Sequence, residues 1–270
     1  MTEASNTLFE TIDRQNAHLP ASTRRTLIKG TAAAVGSMGL YGLMSGTAQA
    51  QDGQNPNNPE TIAAVAATAE VLATIVNTVG PEKLAGRLDG VTLRNIRTAA
   101  QQEKNHYELL TSSAVGGKPV TTMIHVPDEV FSSPQALLTT LAVGDQVFIN
   151  AYPLATTVFA RAGTLMGSKF ARYTAEIMAV ESVHRALALQ SLGKLGNDRA
   201  YAKFAQREMT PGLPTTGTPG FYRITDAVTV LESAGFGFGK AGSKPGQMYD
   251  YAQVSARTPS DPDVNTIEIN

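Results

Sequence analysis

Two short stretches of the sequence contain the same two residue types at the same spacing. The first, QQEKNHYELL, contains Glu103 and His106, and the second, IMAVESVHRALA, contains Glu181 and His184. In a helix, residues three positions apart lie on the same face, about one turn from each other. Such a pair can supply an oxygen and a nitrogen ligand to a metal ion, or it can form a hydrogen-bonded pair in the core.

Repetition of the pair favours the first role. A single Glu-x-x-His is more often a core pair than a set of ligands. After residue 50 the histidines are His106, His125 and His184, and two of them follow a glutamate by three positions. With glutamate at about one residue in twenty, chance produces this on the order of once in a hundred chains. His125 lies in the connection between the second and third helical segments and has no acid three positions before it, so we do not expect it to bind metal.

Apolar residues recur at three- and four-residue intervals in four segments, which predicts four helices. Short links join the first to the second and the third to the fourth, whereas residues 111–134 separate the second from the third. A helix of about twenty residues is about 30 Å long, so this connection can cross the length of a bundle. We predict an all-α fold, a four-helix bundle with one long crossover. The predicted helices are 60–79, ended by Gly80-Pro81, 91–110, 133–159 and 168–192.

Each predicted helix has an acid on its apolar face. Besides Glu103 and Glu181, these are Glu70 on the first helix and Asp145 on the third. Four buried carboxylates without nearby Lys or Arg are unfavourable unless a cation lies among them. A dinuclear metal centre removes this cost, and its predicted ligands are Glu70, Glu103, His106, Asp145, Glu181 and His184.

This arrangement resembles the ferritin-like superfamily of di-iron and di-manganese carboxylate proteins, in which Glu, Glu-x-x-His, Glu and Glu-x-x-His follow one another along four helices. The stretches IHVPDEVFSSPQALLTTLAVGDQVFINAYPLATTVF and EIMAVESVHRALALQSL are similar to exported ferritin-like proteins of the desiccation-related type. The resemblance covers residues 58–195. It implies that Glu103 and Glu181 bridge the metals, that His106 and His184 are terminal nitrogen ligands, and that Glu70 is a terminal carboxylate.

Asp145 stands where the resemblance leads us to expect Glu. Because Asp is one methylene shorter, it reaches about 1.5 Å less far. It therefore binds one metal through a single oxygen, binds it through water, or leaves that side of the site open. Tyr152, one heptad later, is expected to line the same cavity or to serve in packing. Pro153 is expected to kink the third helix.

Oxygen ligands with one imidazole per metal suit Fe and Mn alike. The resemblance implies a dinuclear centre that reacts with peroxide or dioxygen, with a role in oxidative or desiccation stress protection. The alternative is a structural or interaction bundle in which the metal site is degenerate or only stabilising. A homo-oligomer is compatible with the sequence. A hollow storage cage is disfavoured, because the crossover and the C-terminal residues would have to fit between subunits.

The N-terminal residues predict export. The stretch STRRTLIKG contains Arg24 and Arg25 and precedes a glycine-rich apolar run and Ala48-Gln49-Ala50. This is the pattern of a twin-arginine signal spanning residues 1–50, with cleavage after Ala50. The apolar run is shorter than the roughly twenty residues of a membrane span, so no stable membrane anchor is expected. The predicted location is the periplasm or another extracytoplasmic space.

Composition limits the other classes of function. The 270 residues include 42% hydrophobic ones, and the net charge is −1. The chain therefore lacks the basic excess of a nucleic-acid-binding protein. It contains no cysteine, which excludes disulfides and thiolate metal sites. Residues 196–270 are predicted to form an irregular C-terminal extension of unknown role, with one helix at 226–234. The glycines from Gly237 to Gly242 match a dinucleotide-binding spacing, but no βαβ pattern surrounds them.

Overall fold

Four long helices form most of the region between residues 59 and 191. The computed structural model of the chain describes residues 57–198, 202–203 and 218–260, so the predicted twin-arginine signal lies outside the described residues. The first helix pairs with the second and the third with the fourth, while the first also packs on the third and the second on the fourth. The predicted helical bundle with a long crossover is confirmed. The helices are α1 (Pro59–Lys83), α2 (Gly90–Thr111), α3 (Pro134–Arg161) and α4 (Leu165–Ser191).

The crossover and the C-terminal residues together build a small sheet. Strand β1 lies in the crossover and pairs in antiparallel fashion with β4 on one side and β5 on the other. The sequence did not predict this sheet, because such short strands have too few residues to show a clear alternation. The strands are β1 (Met123–Pro127), β2 (Ala202–Lys203), β3 (Thr218–Pro219), β4 (Gly237–Phe238) and β5 (Gly246–Asp250).

Two short helices of the C-terminal region pack against the bundle. Helix α5 (Ile224–Ser233) contacts α1 and α3, and helix α6 (Tyr251–Ser255) contacts α1. The helix predicted at 226–234 is therefore present as α5. Ile124 and Val126 of β1 point into the same core as the long helices. The C-terminal residues 218–260 thus cover α1 and complete the core around it.

Helix α1 is the central element of the fold. Its residues from Thr61 to Gly80 are nearly all buried, because other elements surround it. Within the described parts of the chain, α1 alone is long and apolar enough to cross a membrane, and 94% of its apolar window is buried inside the protein. A helix that is apolar on all sides and enclosed in this way is typical of a protein core.

The end predicted for the first helix at Gly80-Pro81 is wrong, since α1 continues to Lys83. Gly80 lies where α1 approaches α3, and a Cβ atom there would be 2.7 Å from a methyl carbon of Leu137. The glycine therefore permits close packing of the two helices. Pro81 removes one backbone donor, yet the helix continues, and the backbone N–H of Leu84 donates to the carbonyl oxygen of Gly80 at 3.0 Å. Similarly, α3 continues as a helix through Pro153.

Candidate metal centre

The six predicted ligands come from all four long helices and meet inside the bundle. Glu70 lies on α1, Asp145 on α3, and each Glu-x-x-His pair on α2 or α4. All six side chains are buried, and the three glutamates are 0% exposed. Apolar periodicity brings them together, because each acid occupies an inward position that would otherwise hold an apolar residue.

These side chains form two overlapping groups. In each group, one ligand atom per residue lies within 4.8 Å of the corresponding atoms of the others. Glu103 and Glu181 belong to both groups, as two bridging carboxylates between neighbouring metal positions would. The first group is Glu70, Glu103, His106 and Glu181; the second is Glu103, Asp145, Glu181 and His184.

Both imidazoles turn the same ring atom, Nδ1, toward the shared carboxylates. Nδ1 of His106 lies 3.2 Å from Oε2 of Glu103 and 3.4 Å from Oε1 of Glu181. It also lies 3.5 Å from Oε2 of Glu70. Nδ1 of His184 lies 3.0 Å from Oε1 of Glu103 and 3.8 Å from Oε2 of Glu181. Nδ1 is therefore the atom with which each histidine would bind a metal.

Gln102 holds the imidazole of His184 from its other side. Nε2 of His184 donates to Oε1 of Gln102 at 2.6 Å. A proton held on Nε2 leaves Nδ1 free to act as a ligand. This role of Gln102 could not be predicted from the sequence, because the residue lies beside the apolar stripe of α2 and its partner comes from α4. Its position directly before Glu103 was the one available signal.

Tyr152 contacts the opposite end of the site. Its buried hydroxyl donates to Oε1 of Glu70, which belongs to the first ligand group. Oε2 of Glu70 is the oxygen on the side of His106. The hydrogen bond thus occupies one oxygen of Glu70 and leaves the other for a metal. The sequence predicts that Tyr152 lines the site or serves in packing, and the structure shows that it contacts the site through Glu70.

The carboxylates leave several oxygens unsatisfied. Oε2 of Glu70, Oδ2 of Asp145 and both oxygens of Glu181 are buried and have no hydrogen-bond partner among the described residues. Buried oxygens of this kind are unfavourable unless a cation or a donor reaches them. The donor set consists of oxygen and imidazole nitrogen, which suits a pair of divalent metals. The residues therefore fit a dinuclear centre.

The protonation equilibria show how the site balances its charge without metal. Burial raises the pKa of Glu70 to about 7, although the positive charge of His106 acts to lower it. Burial is the largest cause that raises the pKa of Asp145 well above its usual range, and the negative charge of Glu181 is the second. Burial alone would lower the pKa of both histidines, but the facing carboxylates raise it well above the usual value. Metal ions would have to displace protons from these groups.

Glu103 differs from Glu70 and Asp145. Its burial and the nearby charge of Glu181 act to raise its pKa. The charge of His184 and the hydrogen bonds of His106 and His184 outweigh them, so the pKa lies below the usual value. Glu103 is consequently the carboxylate that both imidazoles stabilise in its charged form.

Two cavities adjoin the site at Asp145. The smaller, of about 20 Å³, is lined by Asp145 and His184, by apolar residues of α2, α3 and α4, and by polar residues that include Asn77 and Thr92. A cavity of roughly 10–15 Å³ can hold one water molecule, so one small ligand fits here. Asp145 also borders a larger pocket. The Glu70 end, in contrast, is covered by Tyr152.

The residues set aside in the sequence analysis lie apart from this cluster. Nε2 of His125 is 2.9 Å from the carbonyl oxygen of Lys244, so His125 belongs to the sheet. Glu108 and Glu176, on the same helices as the two Glu-x-x-His pairs, are exposed to solvent. Gly237 and Phe238 form β4, which pairs in antiparallel fashion with β1. None of these residues belongs to either ligand group among the described residues.

Comparison with protein families identifies the bundle independently. A family described as the ferritin-like domain matches residues 45–194, more than half of the chain. The match contains helices α1 to α4 and all six candidate ligands. Comparison with curated proteins gave no match, and comparison with solved structures gave none. On the family match and the fold, the chain belongs to the ferritin-like domain family.

Proposed function

We propose that this protein is an exported ferritin-like protein that holds two Fe or Mn ions and reacts with peroxide or dioxygen. The observation that carries the proposal is the pair of overlapping, buried ligand groups that share Glu103 and Glu181. Each metal would receive the two shared carboxylates, one terminal carboxylate and one imidazole. When bound, such a metal pair supplies redox chemistry and polarises a small oxygen-containing ligand.

The chain's own residues would orient the ligands and keep water out. Tyr152 holds one oxygen of Glu70, and Gln102 fixes the protonated nitrogen of His184. The apolar core surrounds both groups. A carboxylate oxygen of Asp145 lies within 4.8 Å of the ligand atoms of the second group, close enough to bind the same metal. This favours coordination of the metal by one oxygen of Asp145 and disfavours a metal that is left open on that side. The cavity beside Asp145 and His184 is where a small oxidant would enter.

The biological role that we propose is protection against oxidative or desiccation stress outside the cytoplasm. It is supported by the resemblance to desiccation-related proteins and by the twin arginines at positions 24 and 25. The alternative is a structural bundle whose metal only stabilises it. The shorter reach of Asp145, compared with the expected Glu, favours that alternative, so the two must be separated by experiment.

Metal content tests the proposal most directly. We expect protein purified from a host that exports it to contain about two Fe or Mn ions per chain by elemental analysis. Chelation should lower its melting temperature, because metal bound only to the folded state stabilises that state. Fewer than about one metal per chain, with a melting temperature unchanged by chelation, would reject the metal centre.

Reactivity separates a redox centre from a stabilising one. The metal-loaded protein should consume hydrogen peroxide, or dioxygen after reduction, faster than the chelated protein. The charge-removing variant Glu103→Gln, tested at the same metal concentration, controls for free metal. Bound metal without any oxidant consumption would favour the structural alternative. Export is tested by replacing Arg24 and Arg25 with Lys, which should retain the protein in the cytoplasm.

A further inference from the structure

A pocket of about 430 Å³ lies between α1, α3, α5 and the segment that joins β1 to α3. Its volume falls within the roughly 300–1,000 Å³ of typical small-molecule sites. Most of its wall is apolar. Its apolar side chains include Leu72, Val76, Val130, Phe148, Leu231 and Phe236.

The pocket reaches the metal-ligand cluster at Asp145. This residue lines the pocket and is buried, with Oδ2 lacking a hydrogen-bond partner among the described residues. Asp145 also lines the small cavity that it shares with His184. A molecule in the pocket would therefore have one end beside the second ligand group.

The charges around the pocket favour a neutral occupant. Apart from Asp145, its charged lining residues are Glu129 and Lys244. Nζ of Lys244 lies 3.2 Å from Oε2 of Glu129, and both side chains are exposed to solvent. The pair neutralises itself at the surface, so apart from Asp145 at its inner end the pocket has no unpaired charged side chain to attract an ionic ligand.

Gly144 keeps this pocket open. It lies in the interior of α3 and lines the pocket, and no atom lies within 4 Å of the place where a Cβ would stand. Glycine inside a helix costs about 0.5–1 kcal/mol relative to alanine. Helix packing does not require a glycine here, since the space is empty. Its lack of a side chain instead preserves the volume of the pocket.

From these observations we infer that the pocket binds a neutral, largely hydrocarbon molecule and places one end of it against Asp145. The further identification of this molecule as a substrate rests on the proposed function, because only a metal centre would act on it. The binding itself depends on the pocket alone. Val143 and Val230 also line the pocket, on its solvent side. Their side chains are apolar, and the two residues are 54% and 41% exposed.

Binding of the neutral fluorescent probe N-phenyl-1-naphthylamine tests this inference. Titration of the full chain should give saturable binding with one probe per chain, and 1-decanol should displace the probe better than decanoate does. Gly144→Leu should weaken binding by about tenfold or more, because its side chain would occupy part of the pocket. Gly144→Ala should weaken it by less than about threefold. Ala160→Leu, on the exposed side of the same helix, should leave it unchanged.

Gly144→Leu replaces glycine with a better helix former, so its melting temperature should not fall. Absence of saturable binding, equal binding by Gly144→Leu and wild type, or stronger competition by decanoate would each overturn the inference. Metal content is measured on the same samples. If a protein without metal binds the probe, the inferred binding site is supported and the proposed metal centre is rejected. If a metal-loaded protein binds no probe, the inferred binding site is rejected and the metal centre is supported.

Discussion

Nδ1 of His184 lies 3.0 Å from Oε1 of Glu103, although 81 residues separate them along the chain. The other oxygen of the same carboxylate, Oε2, lies 3.2 Å from Nδ1 of His106. Glu181 divides its two oxygens between the same two histidines, at 3.4 and 3.8 Å. Each central carboxylate therefore faces two positions, one beside each imidazole, which is the geometry that a bridging ligand requires.

Loss of one of the two carboxylates that both ligand groups share should prevent binding of the proposed metal pair. Glu103→Gln keeps the size of the side chain but removes its charge and one acceptor oxygen. We expect metal content to fall from about two ions per chain to fewer than one, because both ligand groups use this residue. Glu108→Gln, an exposed change on the same helix, should retain both ions. Two ions per chain in Glu103→Gln would show that the bridge is wrongly assigned.

Asp145 should control only one of the two metal positions, since it belongs to the second ligand group alone. Asp145→Asn should reduce metal content to about one ion per chain, and Asp145→Glu should retain two. Anomalous scattering from crystals would show which position has lost its metal. We expect it to be the position beside His184. Full occupancy in Asp145→Asn would exclude Asp145 as a required ligand.

The hydrogen bond from Tyr152 to Glu70 should contribute to stability. Tyr152→Phe leaves a buried carboxylate oxygen without its donor, so we expect a loss of about 1–3 kcal/mol in the free energy of unfolding. Urea denaturation of the chelated protein measures this loss. Tyr173→Phe, at a half-buried tyrosine of α4, provides the matched control. If both variants lose the same amount, the contact with Glu70 has no special contribution.

Stability of the metal-free protein should fall as pH rises. The pKa of Glu70 is raised from 4.5 to about 7, so between these values the folded state binds more protons than the unfolded state. The histidines, whose pKa values are also raised, stabilise the fold below their usual pKa of 6.5 and lose this effect as pH rises through the higher folded values. Both effects make the slope of stability with pH negative.

Melting temperatures between about pH 6 and about pH 9, with and without chelator, measure this dependence. The chelated protein should melt at progressively lower temperature. The added stability from metal should grow over the same range, because metal competes with protons for the ligands. Glu70→Gln should flatten the part of the slope below about pH 7. A chelated protein that becomes more stable toward alkaline pH would contradict the protonation pattern described for the site.

The bundle and the positions of the six candidate ligands could be read from the sequence. Helical periodicity is local, so the spacing of Glu103 and His106 already places both on one inward face. The end of α1 could not be read in this way. Gly80 and Pro81 have the pattern of a helix end, yet α1 continues to Lys83, and Gly80 instead permits the close approach to Leu137 of α3.

The sequence by itself determined which helices form, which acids face inward, and the family of the bundle. Only the tertiary structure decided which oxygen faces which imidazole, that Gln102 orients His184, and that Tyr152 holds Glu70. It also decided that β1 joins strands of the C-terminal region and that a pocket opens at Asp145. These features depend on side chains from different helices or strands, often more than eighty residues apart, and no local spacing records such distances.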